Sequence, residues 1–85
     1  MSTEAGKPVI LCVDDEPPVL KLLAQYLTGS GYEARTAESG RAALLAIRQE
    51  KPDLIILDIL MPDMDGYTVC THLQEHEDTA QIPVI

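Results

Sequence analysis

Two short, unbroken apolar runs constrain this chain more than any other feature. Val9-Ile10-Leu11-Cys12-Val13 stops abruptly at Asp14-Asp15-Glu16, and Leu54-Ile55-Ile56-Leu57 stops at Asp58. Runs of this length, rich in β-branched residues and bounded by turn formers, fit strands buried on both faces. Such strands need cover from two sides. In a chain of 85 residues that cover comes from helices of the same small domain.

The segments between the runs read as those helices. Pro17 and Pro18 suit a first helical turn, where a missing N–H costs least. Val19, Leu22, Leu23, Tyr26 and Leu27 then recur at helical spacing and predict one buried stripe. Gly29-Ser30-Gly31 ends that helix. Residues 32–37 alternate loosely, as a half-exposed edge strand does. Ser39 is the expected N-cap of a second helix, with Ala43, Leu44 and Ile47 facing inward and Pro52 closing it. Residues 61–66 form a loop, and a third helix buries Val69, Cys70 and Leu73. Ile82-Pro83-Val84-Ile85 starts a further buried strand. The order β-α-β-α-β-α-β predicts an α/β fold: a parallel sheet with right-handed crossovers and helices on both faces. With the two most apolar strands central, the spatial order is 2-1-3-4. Ligand sites in such sheets lie at the carboxyl ends of the strands where the order reverses, here between strands 1 and 3.

Composition narrows the function classes. Hydrophobic residues make up 46% and charged residues 24%, values of a chain that folds. The net charge of −8 repels phosphate backbones, so this segment is not expected to bind nucleic acid. Cys12 and Cys70 form no CxxC pair and read as reduced thiols of a cytoplasmic protein. No apolar run approaches the ~18 residues of a membrane span. Residues 1–7 are short and polar, an N-terminal arm without a secretory core, and residues 8–85 form the domain. His72-Leu73-Gln74-Glu75-His76 matches a zinc-peptidase helix, but no third ligand is well placed after it. Asp63-Met64-Asp65-Gly66 lacks the first and last ligands of a calcium loop, since Met61 and His72 stand there.

The chemistry is expected where the apolar runs end. If strands 1 and 3 are neighbours, Asp14, Asp15 and Asp58 converge on one small volume. Taken singly, the first two could cap a helix and the third could be a turn residue. Together they make a cluster that is unfavourable without a cation. Mg²⁺ suits it: the ion prefers oxygen ligands and takes one or two carboxylates plus a phosphate oxygen. The site therefore fits Mg²⁺-assisted chemistry on a phosphoryl group.

These residues resemble a family. Val9 to Glu16 followed by Pro17, and then Leu54 to Asp58 followed by Ile59-Leu60-Met61-Pro62-Asp63-Met64-Asp65-Gly66, look like the receiver domain of bacterial two-component response regulators. The resemblance covers nearly the whole chain after Lys7. It implies a flavodoxin-like fold. It also implies that Asp58 is the phosphoacceptor, and that Asp15, Asp58 and the carbonyl of Leu60 bind Mg²⁺ directly. Asp14 would act through the metal's water shell. The donor would be a phosphohistidine on a sensor histidine kinase or phosphotransfer protein. The module is a switch and not a turnover enzyme.

The resemblance also defines what is missing. The family's domain has five strands and five helices, and this chain stops in strand 4. The last strand and the last two helices are expected to be absent, so the chain is the N-terminal portion of a receiver. The family's Ser or Thr after strand 4 and Lys after strand 5 have no counterpart; Lys7, Lys21 and Lys51 stand elsewhere. Two functions remain in view. One is a phosphoacceptor module. The other is a degenerate receiver that docks or dimerises without phosphorylation. An exposed strand-4 edge and an uncovered sheet face predict self-association.

Overall fold

The computed structural model describes residues 6–58 and 66–85. Its elements run β1 (Val9–Val13), α1 (Pro17–Gly29), β2 (Glu33–Ala37), α2 (Gly40–Gln49), β3 (Leu54–Leu57) and α3 (Gly66–Gln74). The sheet is parallel, in the order β2-β1-β3. A single parallel bridge, Ile55 to Val84, adds residues 83–85 to the outer side of β3. That placement agrees with the expected 2-1-3-4 order. The N-terminal arm falls largely on residues outside those described.

β1 is buried along all five residues, as its unbroken apolar run requires. Its side chains alternate between two cores. Leu11 and Val13 join Ala37, Ala43, Ile47, Ile55, Leu57, Val69 and Leu73 beneath α2 and α3. Ile10 and Cys12 face the other way and meet Leu20 and Leu27 of α1. On that second side Leu54 and Ile56 of β3 are only half-buried.

The start of α1 follows from its prolines, with Pro at the first two positions and the Glu16 carbonyl accepting from Val19 N–H at 3.0 Å. Its end needs Gly31, whose φ of 96° lies in the left-handed region that side chains avoid. The stripe expected on α1 is rotated. Leu20 and Leu27 are buried with Leu23 packed against them, while Leu22 and Tyr26 are 69% and 73% exposed. Apolar residues occupy seven of the nine positions from Val19 to Leu27, so periodicity alone allowed two overlapping stripes. Contact with Ile10 and Cys12 selects the one through Leu20. α2 keeps its reading: Ser39 Oγ accepts from Ala42 N–H at 3.0 Å, and Ala43 and Ile47 are buried. α3 buries Val69 and Leu73, with Cys70 half-buried.

Candidate functional site

The three strands end together, and their backbones tie the ends down. One bond beyond β1 and β3, Asp58 N–H donates to the Val13 carbonyl at 2.9 Å. On the other side Asp14 N–H donates to the Ala37 carbonyl at 3.2 Å. The ladders therefore continue through the first acidic residue after each central strand. This fixes Asp14 and Asp58 as neighbours on a rigid support rather than on a free loop.

The carboxylates of Asp14, Asp15 and Asp58 each offer an oxygen, and these oxygens lie within 4.8 Å of one another. Among the described residues no other three His, Cys, Asp or Glu side chains converge in this way. Asp14 and Asp58 are half-buried, and Asp15 is exposed. Asp14 Oδ1 also accepts from Glu16 N–H at 3.0 Å, so it shapes the turn into α1 as well as joining the cluster. Octahedral oxygens at about 2.1 Å from Mg²⁺ stand roughly 3 to 4.2 Å apart. The cluster fits that ion with small side-chain shifts, and its all-oxygen donor set is the hard one Mg²⁺ prefers. Leu60, the carbonyl ligand implied by the resemblance, lies outside the described residues, as does the loop through residue 65.

Other sequence candidates stay apart from this site. His72 and His76 line a cleft with Arg48 and Lys51, and His76 Nδ1 lies 3.0 Å from the His72 carbonyl. Their positions suit the last turns of α2 and α3, whose carbonyls favour cations. Lys51 pairs with Asp78 at 3.4 Å. It is not a phosphate partner for Asp58. Two features had no clear sequence signal. Asp53 Oδ2 accepts from Val9 N–H at 2.7 Å, while Asp53 N–H donates to the Val9 carbonyl at 2.8 Å, clipping the starts of β1 and β3 together. Arg35 joins Glu33 of its own strand to Glu50 at the end of α2.

The family model described as the response regulator receiver domain matches residues 10–85. This chain is a response regulator receiver. A probable transcriptional regulator, ycf27, of Pyropia yezoensis is 45% identical over 82 residues, covering 96% of this chain and 32% of that protein. Among solved structures, the N-terminal domain of a receiver protein from Methanoculleus marisnigri superposes with a TM-score of 0.87 at 38% identity, covering 91% of this chain and 63% of that one. The chemotaxis protein CheY4 of Vibrio cholerae gives 0.89 at 29% identity, covering 93% and 66%. The receiver thus spans about a third of that curated relative and somewhat under two thirds of the first solved chain. Membership makes it a phosphoacceptor signalling module of the two-component type, with an acidic triad of the kind that binds Mg²⁺ in receivers. Among the described residues no helix is long and apolar enough to cross a membrane.

Proposed function

We propose that Asp58 accepts a phosphoryl group from a phosphohistidine of a sensor histidine kinase or phosphotransfer protein. The observation that carries this is the convergence of three carboxylates at the reversal point of the sheet. One Asp58 oxygen attacks phosphorus in line, the P–N bond to the donor imidazole breaks, and the imidazole leaves with its electron pair and takes up a proton. Asp15 and Asp58, with Asp14 acting through bound water, would hold Mg²⁺ together with the Leu60 carbonyl. The ion would neutralise charge between the two approaching anions. The backbone bond from Asp58 to Val13 keeps the nucleophile in place during transfer.

The rotated stripe of α1 supports a helical donor. Leu22 and Tyr26 stand one turn apart, exposed on the helix that begins just after Asp15. A donor helix packed there would bring its histidine toward the triad. The test is labelling by a small phosphoramidate donor. Wild type should gain an acid-stable, hydroxylamine-labile phosphate only with Mg²⁺, and Asp58→Asn should gain none. Label retained in Asp58→Asn, or a folded wild type that never labels, would overturn the proposal. Leu22→Ser with Tyr26→Ser should leave labelling by the small donor intact and slow transfer from a cognate kinase.

A further inference from the structure

His72 and His76 stand one helical turn apart where α3 ends. Glu75 N–H donates to the Thr71 carbonyl at 3.1 Å, and His76 N–H donates to the Leu73 carbonyl at 3.4 Å. The helical path therefore carries through both histidines, and the i, i+4 spacing sets them on one face. Both line a cleft of about 230 Å³ between α2 and α3, with Leu44, Ile47 and Leu73 as its apolar lining. His76 Nδ1 lies 3.0 Å from the His72 carbonyl. A carbonyl only accepts, so Nδ1 carries the proton and donates to it. In the neutral ring this leaves the lone pair on Nε2. Metal-bound histidines are held in this way: one ring nitrogen donates to a carbonyl and the other binds the ion. We propose that His76, through Nε2, and His72 bind one divalent ion of the Zn²⁺, Ni²⁺ or Cu²⁺ class, with water in the remaining positions.

The donor atoms select the ion. Imidazole suits Zn²⁺, Ni²⁺ and Cu²⁺, whereas carboxylate oxygens suit Mg²⁺, so the histidine pair and the acidic triad sort ions by chemistry. The two sites share no residue. The triad follows the carboxyl ends of β1 and β3, whereas the cleft includes Lys51, just before β3 begins. The field at the cleft favours a cation. The last-turn carbonyls of α2 and α3 present their negative ends there, and the chain carries a net charge of −8. Arg48 and Lys51 oppose the ion. Lys51 is met by Asp78 at 3.4 Å, and Arg48 is exposed, where water and salt screen it. A peptidase zinc needs a third protein ligand; this site needs only one turn of helix. The ion acts as a staple. Held by both rings, it closes the last turn of α3, where the backbone bond from His76 is long.

Titration calorimetry of the full chain with NiCl₂ in excess Mg²⁺ tests it, in a Cys70→Ser background that removes the more accessible thiol. The expected result is one Ni²⁺ per chain. His72→Gln and His76→Gln should each weaken binding at least about tenfold, the lower end of what losing even an outer-shell partner costs. Both histidines are exposed, and circular dichroism should show the variants folded. Arg48→Gln should tighten binding, because it removes an opposing charge. Asp58→Asn should leave it unchanged. Broadening of amide resonances by paramagnetic Ni²⁺ should centre on residues 72–76. Absence of binding would overturn the proposal, as would binding that both histidine variants retain. So would broadening centred on the triad, or an Arg48→Gln variant that binds more weakly, the mark of an anion site.

Discussion

Asp14 holds the turn into α1 through its bond with Glu16 N–H while contributing to the triad, so two substitutions separate its roles. Asp14→Asn keeps an acceptor for the turn and removes the charge. Its metal-free stability should match wild type or exceed it, with a smaller gain on adding Mg²⁺. Asp14→Ala removes the turn bond as well, at a further cost of about 1 kcal/mol. Urea midpoints with and without Mg²⁺ decide between these outcomes. The thiols differ in a comparable way. Burial among Ile10, Leu20 and Leu27 pushes the Cys12 thiol up, whereas Cys70 is half-buried on α3. Alkylation of the native protein should reach Cys70 first and Cys12 only after unfolding. A raised native value means the folded state holds its proton more tightly than the unfolded chain does. That stability is fully present below the ordinary thiol value of about 8.5 and is lost as pH rises through the higher native one. Denaturation midpoints should therefore fall at alkaline pH, and less steeply in Cys12→Ala.

α1 offers the sharpest check on the packing. Leu20→Ala empties a core site and should cost about 2–5 kcal/mol. Leu22→Ala lies outside the core and should change stability by less than about 0.5 kcal/mol. A sequence reading that buries Leu22 expects similar losses for both, so urea melts of the pair discriminate. Here the sequence was legible only to the level of a helix, because a nearly continuous apolar segment does not say which side meets the sheet. α2 was legible to the residue: Ser39 and the spacing of Ala43 and Ile47 admit one register. β1 was legible as a strand buried on both faces; β3 was legible as a strand, but its Leu54–Ile56 face is only half-buried, and the ends of both located the triad. The Asp53 clip was not, since a carboxylate before a strand carries no mark of the distant N–H it meets. Asp53→Ala should cost roughly 1.5–3 kcal/mol, the range for a charge-assisted bond, read from the urea midpoint.

At the scale of the molecule, Mg²⁺ should behave as a ligand of the folded state. A hundredfold excess over Kd adds about 2.7 kcal/mol, and the matching rise in melting temperature should vanish when Asp15→Ala and Asp58→Ala are combined. Far-UV circular dichroism gives this directly. The family likeness was legible because its motifs cluster at strand ends, where the fold leaves little choice of residue. The chain has no tryptophan, and its three tyrosines, Tyr26, Tyr32 and Tyr67, are all exposed. Its intrinsic fluorescence thus comes from the surface. Emission should change little as the core melts. It should respond instead when Tyr26 meets a donor, giving a spectroscopic channel for that encounter that is nearly blind to unfolding.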